Sequence, residues 1–319
     1  MTFSSFSTSS NHGASRVPRI VLAAALVLAM ASVAGAQQSF QTPEEAADAL
    51  ASAAKAGDRN ALLTVLGRDG EDIVSSGDDV DDEAARQRFI AAYDAKRQIT
   101  RDGDSKAIMV IGQEDFPFPI PIVRKNGSWQ FDSAAGRQEI LYRRIGRNEL
   151  AAIQASLAYV DAQNEYAEKD RTGAGAGIYA QRIVSRPGSK DGLYWPAAQG
   201  EEESPLGELV AQATGEGYRA DGRRAPYHGY YYKVLTRQGS NTTGGALNYV
   251  AGGKMISGFA LVAYPAEYGN SGVMTFVVNH NGTIFQKDLG RQTEKLAARM
   301  TSFNPNETWT KADVSTPPR

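Results

Sequence analysis

Three runs decide how this chain folds: Pro226-Tyr-His-Gly-Tyr-Tyr-Tyr232, Gly258-Phe-Ala-Leu-Val-Ala-Tyr-Pro265 and Val273-Met-Thr-Phe-Val-Val-Asn-His-Asn-Gly-Thr-Ile-Phe285. Each is rich in β-branched and aromatic residues and is punctuated by Gly, Pro or Asn. Such residues fit a pleated, half-buried surface broken by tight turns, so an antiparallel sheet is expected across 226–290. In Tyr230-Tyr231-Tyr232 the period of two sends Tyr231 to the face opposite its neighbours. One face of the sheet should therefore be core, and the other is free for recognition.

Upstream of the sheet, Leu141, Ile145, Ile153, Leu157 and Val160 recur at helical spacing from Ala134 to about Lys169. Gly146 is a possible kink. A helix of that length reaches roughly 50 Å, enough to act as a spine. Ahead of it, Thr42-Pro43-Glu44-Glu45 reads as a helix start, with Thr42 capping and Glu45 closing a capping box. Ala46, Ala47, Leu50, Ala53 and Ala54 give an apolar stripe ended by Gly57. Further helices are expected from Asp58 and after the 78–83 run, the latter with Ala85, Phe89, Ala92 and Tyr93 on its buried face, and Asn126-Gly127 marks a hairpin. The acidic run Asp78 to Glu83 reads as a solvated loop whose carboxylates favour the next helix N-terminus. Between spine and sheet, Asp170 to Gly177 reads as a glycine-rich linker and Ile178 to Ser185 as a short helix or strand. Asp191-Gly-Leu-Tyr-Trp-Pro196 reads as a turn bearing two exposed aromatics.

The expected class is thus α+β. Residues 37–132 make an N-terminal helical α+β unit, 133–170 the long central helix, and 171–319 an antiparallel β-sheet domain. Residues 1–36 read as a signal peptide: Arg16 and Arg19 form a basic start, Ile20 to Ala31 an apolar core, and Ala34-Gly35-Ala36 a small-x-small cleavage site. An exported protein, periplasmic or secreted, is expected, with no transmembrane segment after signal cleavage. Removing the signal's two arginines leaves 32 basic against 36 acidic residues, a balance that argues against a nucleic-acid partner. With no cysteine, disulfides and thiolate chemistry are excluded.

Several of these segments resemble a known bacterial family, domain of unknown function 2950. The likeness is carried by Phe116-Pro-Phe-Pro-Ile-Pro121, Ile145-Gly-Arg-Asn-Glu149, Asp191-Gly-Leu-Tyr-Trp-Pro196, the first two runs quoted above, Val273-Met-Thr-Phe276 through Asn279-His-Asn-Gly282, and Gln286-Lys-Asp-Leu-Gly290. It implies an exported bacterial protein and supplies no activity. Members can carry a more Asp-rich loop near Asp170; here Ala174 and Ala176 occupy it. The C-terminal half also looks like the head of type II pseudopilins, and the N-terminal unit like a nuclear-transport-factor-2-like cone.

No Gly-x-Ser-x-Gly elbow and no helical His-x-x-x-His pair occurs, so neither a hydrolase nucleophile nor a metal or cofactor site is expected. Asp191, Tyr194, Trp195, His228, Tyr230 and His280 are the candidate ligand-binding residues, because aromatic rings with polar tips suit sugar or peptide platforms. The leading expectation is a non-enzymatic envelope module that takes an envelope protein or a cell-wall-derived ligand on a Tyr-rich C-terminal face. The alternative is an envelope-polymer hydrolase with His228 as base and Asp191 as acid. Asp288 is better explained as a cap for the last helix.

Overall fold

The computed structural model describes residues 37–221 and 223–314; the expected signal segment, residues 1–36, lies outside the described residues. Four helices open the described chain: α1 (Pro43–Ala56), α2 (Arg59–Leu66), α3 (Glu71–Val74) and α4 (Asp79–Ala95). Thr42 Oγ1 accepts from Glu45 N (3.1 Å), while Glu45 Oε2 accepts from Gln41 N (2.9 Å), so the carboxylate reaches one residue further back than a standard capping box. Five strands follow: β1 (Arg97–Asp102), β2 (Lys106–Ile111), β3 (Phe116–Pro117), β4 (Ile122–Lys125) and β5 (Ser128–Phe131). Their order is β1-β2-β4-β5, with β3 also on β2, and all pairs are antiparallel. The β4–β5 turn is the expected Asn126-Gly127 hairpin, both residues at positive φ. Leu50, Met109, Ile122 and Phe131 centre a first hydrophobic core here.

The spine is one uninterrupted helix, α5 (Ser133–Glu168); Gly146 does not break it. Near its start, Gly136 lies so close to the chain that an added Cβ would sit 2.7 Å from Ile120 Cα. Its second half carries Ala152, Ile153, Tyr159, Val160 and Tyr166 into a second core. The missing Cβ at Gly136, which allows this close approach, and the length of the helix thus let one element serve both cores.

After α5 the chain from 170 to 206 is held by turns and isolated bridges. Ile178 to Ser185 forms neither a helix nor a strand: it makes single bridges, Tyr179 to Met255 and Val184 to Tyr194. Helix α6 (Gly207–Gly215) follows. The C-terminal strands are β6 (Tyr230–Leu235), β7 (Arg237–Gln238), β8 (Leu247–Asn248), β9 (Val250–Ala251), β10 (Lys254–Met255), β11 (Ala260–Pro265), β12 (Met274–Asn279) and β13 (Phe285–Asp288). Helix α7 (Thr293–Arg299) and strands β14 (Ser302–Phe303) and β15 (Thr310–Lys311) close the described chain. The main sheet runs β15-β13-β12-β11-β6 and is antiparallel throughout. Asp288 Oδ1 accepts from Gly290 N (2.7 Å) in the turn before α7, but it does not cap that helix as expected: the α7 N-cap is Gln292, four residues further on, and carries no side-chain cap.

One expectation fails instructively. The sheet has no open central face: every residue of β11 is buried, since α5 packs on one side and α7 and β14 on the other. Accessible backbone is left at the sheet's margin, where β6 is the terminal strand. No helix among the described residues is long and apolar enough to cross a membrane.

Candidate ligand-binding cleft

Two polar regions stand out around the second core. The first joins the two cores. Asp78, read from sequence as part of a solvated loop, is 1 % exposed. Its Oδ1 caps α4 by accepting from Val80 N (3.2 Å) and Asp81 N (3.3 Å). Its Oδ2 accepts from Gly229 N (2.8 Å) and from the Tyr218 hydroxyl (3.0 Å), and that hydroxyl in turn accepts from His228 N (3.2 Å). The run is solvated in only some of its members because a buried bend needs acceptors for its neighbours' N–H groups. Burial raises the Asp78 carboxyl above its ordinary range, more strongly than the Gly229 hydrogen bond lowers it. Burial and the same carboxylate push the Tyr218 hydroxyl up.

Arg144 of α5 completes this joint. It is 5 % exposed and donates to Asp72 O (2.6 Å), Ile73 O (2.7 Å) and Asn270 Oδ1. Asn148 Nδ2 donates to Ser271 O (2.9 Å), and Glu149 Oε1 accepts from Val273 N (3.0 Å) and Met274 N (2.9 Å). His228 sits at this joint in the left-handed region, φ 47°, with Nε2 3.3 Å from Glu216 Oε2 and its ring against Tyr227. Gly229 follows at φ 72°, where a Cβ would meet Asn148 Nδ2 at 2.5 Å.

The second region is a cleft of about 1750 Å³. One wall is the 181–196 segment and the other is residues 219–221 and 223–225 with the margin of β6. Arg171, Arg182, Arg186 and Lys190 line the first wall, and Arg219, Arg223 and Arg224 the second; the acidic lining is Asp191, Glu201 and Asp221. Carboxylates here are shared among cations. Asp191 Oδ2 lies 2.7 Å from Arg186 Nε and 3.6 Å from Arg182 Nε. Glu202 meets Lys169 (3.1 Å), Arg171 (3.3 Å) and Lys190 (3.2 Å). Arg219 makes no ion pair among the described residues. Positive charge is therefore in local surplus in a chain whose net charge is negative. Burial alone would raise the Asp191 carboxyl, but hydrogen bonds from Ser189 and from Arg186 outweigh it and hold the group at about 2.

An apolar cavity of about 180 Å³ adjoins the cleft and shares Ile183, Val184, Ala220 and Tyr232 with it. Leu206, Leu209 and Val210 around α6, Ala155 and Tyr159 of α5 and Leu261 of β11 line its apolar side, while Tyr218 and Tyr227 of the joint and Arg219 and Arg223 of the cleft line the rest.

The six sequence candidates do not share one site. Asp191, Tyr194 and Trp195 line the cleft. Trp195 is not the exposed aromatic expected: it is 5 % exposed, donates from Nε1 to Glu202 O (3.1 Å) and lies under Lys190 Nζ at 5.1 Å. Tyr230 is fully buried, donates to Met274 O (2.9 Å) and packs on the Phe276 ring of β12, so it is core. His228 and His280 lie at opposite ends of β11: Gly229 O accepts from Ala266 N just past Pro265, while His280 N donates to Phe259 O. A six-residue strand, roughly 20 Å, separates them. His280 packs against Tyr249 and Phe259, and burial lowers its pKa. Sequence reasoning missed Asp78, Arg144 and the arginines of the cleft. For the arginines a signal was present: two loops, 182–190 and 219–224, are each basic, and a chain-wide charge balance averages them away.

The chain belongs to the family described as protein of unknown function (DUF2950), whose model matches residues 37–312. No curated protein and no solved structure matches it, so the pseudopilin-head and cone likenesses stand on sequence pattern alone.

Proposed function

We propose that this chain is an exported cell-envelope binding module whose recognition site is the basic cleft and which takes an anionic ligand, either an envelope protein segment or a cell-wall-derived molecule. The observation that carries it is the surplus of arginine and lysine over carboxylate in that cleft. Clustered like charges with shared counter-ions focus the local field and attract anions. Export is supported by the basic, apolar and small-residue order of 1–36. The Tyr-rich face of the sequence reading is replaced by the cleft, because Tyr230 and Trp195 are occupied inside the fold. The hydrolase alternative places its base and acid apart: His228 faces Glu216 at the joint, and Asp191 is held by Arg186 and Ser189 in the cleft.

Fluorescence anisotropy with fluorescein-labelled hexaglutamate, and competition by inorganic triphosphate, tests this. Binding is expected that weakens steeply with added salt and falls more than tenfold in Arg186→Glu/Arg223→Glu. Absence of binding by both probes, or equal binding by the double variant, overturns it.

A further inference from the structure

The cleft runs along a strand margin that has backbone hydrogen-bonding groups to offer. In the β6–β11 ladder, Gly229 O accepts from Ala266 N, which places Gly229 and every second residue after it in hydrogen-bonded pairs. The main-chain groups of Tyr231, Lys233 and Leu235 therefore face β11, and those of Tyr230, Tyr232 and Val234 face outward. Tyr230 is closed by Tyr227, which exchanges both hydrogen bonds with it (2.8 and 3.1 Å). Two residues beyond Val234, Thr236 O accepts from Tyr249 N (2.9 Å). Between these closures, the N–H and C=O of Tyr232 and Val234 have no hydrogen-bond partner among the described residues. Both residues line the cleft.

Unpaired strand margins are usually covered, shortened or charged, because they template further strands. Here the margin is bare over two residues and opens onto cations. We propose that β6 is a docking margin for an extended acidic peptide, which adds as a sixth strand of the main sheet inside the cleft. This rests on the anionic-ligand reading above and narrows it to a peptide. Main-chain bonds to Tyr232 and Val234 supply the docking, and side-chain pockets supply selectivity. Tyr232 also lines the apolar cavity, so an apolar peptide side chain beside Tyr232 on the same face enters it. An engineered cavity of roughly 150 Å³ holds one benzene ring; at about 180 Å³ this one fits a single Leu or Phe side chain rather than a lipid chain. Acidic side chains at the alternating positions face the other way. On that side Arg224 already lies 4.1 Å over the Tyr231 ring.

The test uses the chain spanning residues 37–319 and a labelled nine-residue peptide of alternating glutamates with one central leucine. Anisotropy should report binding, and N-methylating the alternate amides that face β6 should weaken it at least tenfold, since each methyl removes a ladder donor. Val234→Pro deletes an outward N–H without touching the β11 side, a position where Pro is tolerated in terminal strands. It should cut affinity at least tenfold while the thermal midpoint moves little. If hexaglutamate and triphosphate bind but N-methylated and plain peptides bind equally, strand addition is refuted and the anionic cleft survives. If no anion binds, both fail together. Binding of anionic phosphatidylglycerol vesicles without any binding of peptide also refutes it.

Discussion

The joint around Asp78 and the cleft around Asp191 are built from the same residue types, Asp, Arg and Tyr, yet they differ in how their hydrogen bonds are used. At the joint the demand is met internally: Asp78 serves four donors, and Arg144 serves two carbonyls and one amide oxygen. In the cleft Asp191 is divided between two arginines, the neighbouring Glu202 is divided among three cations, and a strand margin keeps its N–H and C=O groups open. Buried polar groups without partners are costly, whereas groups at an open cleft are hydrated until a ligand replaces water. A saturated network points to structure, and an unsaturated accessible one to recognition. His228, the most reactive-looking residue in sequence, belongs to the first kind.

Changes at the joint should affect stability most. Asp78→Ala strands four donors in a buried site and should cost about 3 kcal/mol in urea unfolding. Its peptide affinity should stay within twofold wherever it is folded. A loss below about 1 kcal/mol would remove the distinction between the regions. Gly229→Ala combines positive φ with a clash against Asn148 and should cost about 2 kcal/mol, measured the same way.

The cleft should behave in reverse. Arg186 and Arg223 side chains are 67 % and 84 % exposed, so their reversal to Glu should change stability by less than about 1 kcal/mol while weakening anion binding more than tenfold.

The smallest effect sharpens the contrast most, because it has opposite signs. The raised Asp78 carboxyl holds its proton more tightly folded than unfolded. Its contribution is complete below the usual 3.8 and is lost as pH rises through the raised folded value. Asp191, depressed to about 2, contributes fully above 3.8 and loses that contribution as pH falls toward 2. In stability-against-pH curves, the difference between wild type and Asp78→Asn should therefore shrink as pH rises above 4. The difference between wild type and Asp191→Asn should shrink as pH falls below 4. Parallel slopes would contradict the assignment of the two sites.

Much of the fold was legible locally. The alternation in Tyr230-Tyr231-Tyr232, the Asn126-Gly127 hairpin, the Thr42 cap and the second half of the spine periodicity are short-range signals that the structure carries. In the first half of the spine, Leu141 and Ile145 are only half-buried, and Arg144 and Asn148 take the inner face. What was illegible was long-range. Asp78 and Gly229 are 151 residues apart, so nothing near Asp78 distinguishes a buried acceptor from a solvated acid. That both faces of β11 are covered depends on α7 and β14, which come later in the chain. Whether a strand is terminal in its sheet depends on pairing order, so the bare stretch of β6 has no sequence signature.

Amide hydrogen exchange along 226–236, with and without the leucine-centred acidic peptide, tests the central claim most directly. Without peptide, Tyr231, Lys233 and Gly229 should exchange slowly and Tyr232 and Val234 fast. With peptide, Tyr232 and Val234 should gain protection while Gly229, already donating to Asp78, stays unchanged. Protection that appears at the joint, or nowhere on β6 despite saturating peptide, would contradict the assignment of recognition to the cleft.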